Sequence, residues 1–150
     1  MKNLIDIHNA CTLFLTQWVQ PIFLLLLRFW LAWIFFKSGL TKISSIDSTL
    51  ALFEYEYAVP IIPYDIAAWL SIIVELALPP LLAIGLACRP TALILLIFNA
   101  VAMISYPDIS HAGVKEHELW QMGFLVIFIF GAGKLSVDAF LAKYLTIEKD

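Results

Sequence analysis

The chain has 150 residues, of which 62% belong to the set AVILMFWYC and 14% are charged, with a formal net charge of -3. Soluble domains carry roughly 25% charged and 45–50% apolar residues, so this composition excludes an ordinary soluble domain and points to the membrane class. No basic stripe marks a nucleic-acid partner, and the length suits one bundle, a single domain over residues 1–150.

Leu4, Ile7, Cys11, Phe14, Leu15 and Trp18 recur at helical spacing with polar residues between them. Residues 1–17 therefore predict an amphipathic helix on the membrane surface that feeds the first span. A secretory signal peptide is not expected, because Arg28 interrupts the apolar region and no small-residue cleavage site follows it.

The first span covers residues 18–39, WVQPIFLLLLRFWLAWIFFKSG, with Arg28 at its centre. It meets the roughly 20 apolar residues that a bilayer crossing needs. A mid-span arginine costs at least ~2.5 kcal/mol on insertion scales, so the other spans are expected to supply partners. Gly39 suits a helix C-terminus. Residues 40–65 then read as a long polar connection with Lys42, Glu54, Glu56 and tyrosines at 55, 57 and 64, folding over one end of the bundle.

The second span covers residues 66–87 and contains Glu75 and the pair Pro79-Pro80, which frees the carbonyls of Glu75 and Leu76. Cys88-Arg89-Pro90 reads as a tight turn. The third span, residues 91–106, carries Asn99 and is short enough to require tilt or local thinning. Residues 107–116 read as a polar loop, and the fourth span covers residues 117–130. A glycine turn, GAGKLSVD, leads to a closing amphipathic helix with Val137, Phe140, Leu141, Tyr144 and Leu145 on one face. The expected fold is all-α: an integral membrane four-helix bundle with amphipathic N- and C-terminal segments.

Lysine and arginine bias sets orientation. Lys2, Arg89, Lys134, Lys143 and Lys149 fall on one side, and Lys42, Lys115 and the nearby Lys37 on the other. Both termini are therefore expected in the cytoplasm. Cys11 and Cys88 then lie on the reducing side, where a structural disulfide is not expected.

Each span contributes a polar side chain to the outer half of the bundle: Arg28, Glu75, Asn99, and the pair His117 and Gln121, which share a helix face at a spacing of four. Counting from the span ends, Arg28 and Glu75 differ in depth by only about 3 Å, so an ion pair between them is expected. Intramembrane ionisable groups mark functional sites by default, and this set is the candidate ligand site. The competing reading is interhelical glue that fixes helix order. A weaker candidate is a metal site at the outer mouth from His111, Glu116 and His117, whose imidazole and carboxylate donors suit copper or zinc. No haem, nucleophile-triad or phosphate-loop motif appears, so any redox centre must come from a partner or a mobile quinone.

Three stretches carry a resemblance: LLLLRFWLAWIFFKSGLTKI, VELALPPLLAIGLACRP, and HELW followed by GAGKLSVD. Together they resemble the DoxX family of small four-span bacterial membrane proteins across about residues 22–140. Ala132, where the family more often has proline, and the long tyrosine-rich first loop depart from its pattern. The resemblance implies an inner-membrane bundle associated with the lipid bilayer and with other membrane or periplasmic proteins. It further implies a role as an accessory, quinone-binding subunit of an oxidoreductase or oxidative-stress complex. Copper or metal homeostasis and a purely structural assembly role are the alternatives. It transfers no catalytic residues.

Overall fold

The computed structural model describes residues 2–147. Lys149 and the side chain of Lys2, both used above for orientation, lie outside the described residues. The chain forms α1 (Lys2–Phe14), α2 (Gln20–Ser44), α3 (Ile46–Tyr55), α4 (Tyr64–Ile84), α5 (Cys88–Ile104), α6 (His111–Phe130) and α7 (Val137–Ile147). No strand occurs among the described residues. α2 packs along α4 and α5 along α6, while α3 lies against α4 and α2. The main core gathers Leu31, Phe35, Leu82, Leu95, Phe124 and Ile127 between these helices. Outward faces are also apolar: Trp30, Trp33, Trp69, Ile73, Ile97, Met122 and Ile129 are all exposed. An apolar surface on this scale needs a cover other than water.

Several boundaries differ from those expected. α1 does not break away as a surface helix. A five-residue π-helical turn, Leu15–Val19, joins it to α2, and Leu4–Ser44 forms one helical rod of 41 residues, about 60 Å long at ~1.5 Å per residue. Every side chain from Leu4 to Gln20 is exposed. Cys88-Arg89-Pro90 is not a turn but the opening of α5, where proline is tolerated because first-turn amides have no helical acceptor. The turn lies one step earlier, at Gly85 (φ 71°) and Ala87 (φ 46°). The second polar loop is also shorter than expected. α6 already begins at His111, with Ser110 Oγ accepting the Gly113 amide at 3.1 Å.

Gly39 does not end a helix. It sits inside α2, where an added Cβ would lie 2.9 Å from Leu76 Cδ2 and 3.0 Å from Glu75 Cβ. That close approach sets the antiparallel register of α2 and α4. Residue 39 lies level with residue 75, and residue 28 level with residue 85, where the Arg28 guanidinium fills the space a Gly85 side chain would take. Arg28 and Glu75 are therefore about 15 Å apart along the bundle. The expected ion pair does not form, because α4 starts about six residues beyond the level at which α2 ends. Depths counted from the two helix ends thus have different origins.

Arg28 is fully buried and makes its contacts at the other end of the bundle. Its Nη2 donates to the Leu135 carbonyl at 2.5 Å, and its Nη1 approaches the Leu82 carbonyl at 3.5 Å. Its Nε has no partner among the described residues. The Asp138 carboxylate, whose charge acts on Arg28, accepts the amides of Ala87 and Cys88, each at 2.8 Å. The Asp138 amide in turn donates to the Gly85 carbonyl at 2.9 Å. The GAGKLSVD stretch is thereby locked onto the α4–α5 turn. Asp138→Ala is expected to cost about 1–2 kcal/mol through loss of the α5 cap. Gly85→Ala should cost more, since it adds left-handed strain to the displacement of Arg28. Thermal unfolding in detergent micelles checks the order.

Candidate functional site

At the end of the bundle away from Arg28, the helices part around a cavity of about 260 Å³. α2, α4, α5 and α6 form its walls, and α3 with the segment 56–62 closes it. Much of the lining is aromatic. Phe35 meets Phe98 and Trp120 edge-on, with ring centroids 6.3 and 5.6 Å apart. Phe53, Tyr57 and Tyr106 stack in a ladder with centroid spacings of 4.7 and 5.2 Å. Edge-on and offset rings are the arrangements the ring quadrupole favours. The ladder joins α3, the linker after it and the end of α5 into one cover.

Glu75 lies on the α4 wall, and its partner is Lys42. Lys42 Nζ donates to Glu75 Oε2 at 2.5 Å and to Ser38 Oγ at 2.9 Å, and Ser38 Oγ donates to Glu75 Oε1 at 3.3 Å. The side chains of Lys42 and Glu75 are only 15% and 6% exposed. The helix makes this grouping possible: Ser38 and Lys42 are four apart and share one face of α2. Lys42 lies on α2 and not in the expected polar loop, because the helix runs past Gly39 to Ser44.

Asn99, His117 and Gln121 do meet. Asn99 Nδ2 donates to Gln121 Oε1 at 2.6 Å and to the His117 carbonyl at 3.0 Å. Asn99 Oδ1 is left to face His117 Nδ1 at 2.7 Å. With the amide oriented this way, Nδ1 must carry the proton. In the neutral ring Nε2 is then an acceptor. His117 lines the cavity and rests on Trp120 with centroids 4.7 Å apart. Asn99 and Gln121 do not line the cavity and instead hold the imidazole from behind.

The five expected site residues therefore do not form one cluster. Glu75 and His117 line the cavity, Asn99 and Gln121 support His117, and Arg28 belongs to the opposite end. Nor do the expected metal donors gather. His111 and Glu116 are exposed while His117 turns inward, and among the described residues no three His, Cys, Asp or Glu side chains are grouped to hold a metal ion. The cavity also uses residues the sequence reading left out: Ser38, Ser105 and Tyr106, with Tyr57 in place of a wet loop. The Tyr57 phenol is pushed above the ordinary tyrosine range, first by burial and then by the nearby charges of Glu75 and Glu56 and by Tyr106. At neutral pH it remains a donor.

Apolar helices around an internal, partly charged cavity define an all-α, membrane-associated protein. Among the described residues two helices, Leu4–Ser44 and Tyr64–Ile84, are long and apolar enough to cross a membrane, and Cys88–Ile104 is a shorter apolar helix. The DoxX family model matches residues 23–107, and the chain belongs to that family. An uncharacterized protein of Haemophilus influenzae is 35% identical over 127 residues, covering 80% of this chain and 83% of its own length. No solved structure matches the chain.

The Lys42–Glu75 pair yields a stability test. Lys42→Met or Glu75→Leu alone should cost about 3–5 kcal/mol by leaving a buried charge unpaired, whereas the double variant should lie close to wild type. Thermal unfolding of the four proteins in the same detergent measures the difference.

Proposed function

We propose that this chain is a four-span protein of the bacterial inner membrane, a single domain in which α2, α4, α5 and α6 cross the bilayer. The Arg28 end faces the cytoplasm, together with both termini, and the cavity lies towards the outside. Arg89 and Lys134 at the former end support this orientation. In this reading the protein is the accessory, ligand-binding subunit of a membrane redox or oxidative-stress complex. Its ligand is of the quinone type.

The observation that carries this reading is the buried Glu75, paired with the half-buried Lys42 and Ser38, set in an aromatic wall of the cavity. An apolar pocket with a few convergent polar groups is the usual form of a small-molecule site. An engineered cavity of ~150 Å³ accepts benzene, so about 260 Å³ has room for a single substituted ring. The third N–H of Lys42, left over by Glu75 and Ser38, suits a ligand carbonyl. A quinone, when bound, supplies carriage of two electrons and two protons. The chain's own residues orient the ring, exclude water and hold a proton acceptor at His117 Nε2. In this reading Arg28 serves the fold and not the ligand.

Ala102 lines the cavity from α5 without joining its polar contacts. Native mass spectrometry of protein gently extracted from its own membrane should show a co-purifying ligand of quinone mass. Ala102→Phe, which fills the cavity, should lose at least about nine-tenths of it without a lower melting temperature. A wild-type protein that carries no such ligand and takes up none when quinone is added would overturn the reading.

A further inference from the structure

Resting on the ligand-binding reading above, we propose that Ser105 is a second hydrogen-bond anchor in the cavity. The site then selects a single six-membered ring bearing oxygen at two positions. Ser105 is 1% exposed and lines the cavity, and its Oγ has no hydrogen-bond partner among the described residues. Buried hydroxyls are nearly always paired. A serine in a helical turn ordinarily turns back onto a carbonyl three or four residues earlier. Thr12, Thr41 and Ser71 all do so, onto His8, Lys37 and Ala68. Ser105 does not, although its backbone is fully engaged: its amide donates to Val101 at 3.0 Å and its carbonyl accepts from Ala58 at 2.7 Å. The residue is fixed in place while its hydroxyl is uncommitted.

Lys42 provides the other anchor. Its ammonium has three N–H groups, of which Glu75 and Ser38 take two. Lys42 can only donate, so it calls for an acceptor oxygen. A serine hydroxyl donates or accepts, so it takes either a carbonyl or a hydroxyl. The aromatic walls and the cavity volume suit one ring in the cavity that both anchors line. A ring with one oxygen leaves one buried anchor unpaired, and sites built on hydrogen bonds reject ligands for that reason.

The test is calorimetric titration of the full-length protein in detergent micelles with duroquinone, with tetramethylphenol, which keeps one ring oxygen, and with durene, which has none. Wild type should bind duroquinone at least about fivefold more tightly than tetramethylphenol. Ser105→Ala should weaken duroquinone about five- to tenfold and leave durene unchanged. Its melting temperature should be equal or higher, because the deleted hydroxyl has no partner. If Ser105→Ala binds duroquinone as wild type does, or if wild type does not distinguish the one-oxygen ring, the anchor is overturned and the ligand-binding reading stands. If wild type binds none of the three rings, the ligand-binding reading itself fails and the anchor fails with it.

Discussion

A buried guanidinium without a carboxylate in hydrogen-bond contact fixes one end of this bundle. Arg28 reaches the Leu135 carbonyl at 2.5 Å and points at the Leu82 carbonyl, one on the loop after α6 and the other in the last turn of α4. Helix ends and loops leave carbonyls without helical donors, and in an apolar setting such groups are costly. A planar group with five donors serves two carbonyls on separate segments, whereas an ammonium offers no such fixed fork. The same side chain requires glycine at position 85 and brings the Leu-Ser-Val-Asp stretch against the α4–α5 turn. Asp138 then caps α5 while its charge acts on Arg28. The charge that looked like the largest cost in the first span therefore joins three segments.

The Lys42–Glu75 pair is different in kind. Although Lys42 sits in the last turn of α2, the pair joins no other helix end; it faces a cavity. Desolvating both charges offsets most of their attraction, so apolar residues of similar size can often replace such a pair with no loss of stability. The fold has little need of it, which is why the pair speaks for use of the cavity and Arg28 speaks for assembly. Asn99 illustrates an intermediate case. Its bonds to Gln121 and His117 tie α5 to α6, and the same bonds fix which imidazole nitrogen carries the proton.

Much of this was legible in the sequence. The apolar runs gave the helices, the spacing of four put His117 and Gln121 on one face, and the ordered motifs gave the family. Arg28 in an apolar run needs partners, but these are backbone carbonyls, which no residue pattern displays. The wrong pairing with Glu75 came from Gly39 together with the offset between the ends of α2 and α4. A glycine marks a helix end or a close helix crossing with equal ease, and here it marks the crossing, where it admits Leu76 and Glu75. Ending the helix there shortened α2, placed Lys42 in a loop and gave depths from a false origin. Ser105 and Tyr106 carried no signal at all, because a serine and a tyrosine at the end of a short apolar helix suit the membrane surface equally well.

The two ends of the bundle thus differ in how they are held. Around Arg28, helix ends are tied by charge-assisted and backbone bonds, and Gly85, Leu135 and Asp138 leave little freedom. Over the cavity, the cover is a ten-residue helix and a linker held by stacked rings, by Phe53 packed on Ala67 and Ala68 and by Thr49 Oγ1 donating to the Lys42 carbonyl at 2.9 Å, with the Ala58–Ser105 backbone bond at 2.7 Å joining linker to α5. Stacked rings slide at less cost than a buried ion or a helix cap is broken. A ligand exchanging through this molecule would therefore move the α3 cover and not the Arg28 end. Ser105 stands where the two meet: its carbonyl holds the cover and its hydroxyl lines the cavity. On the proposed reading, a ligand bonded to that hydroxyl would contact the same residue whose carbonyl holds the linker.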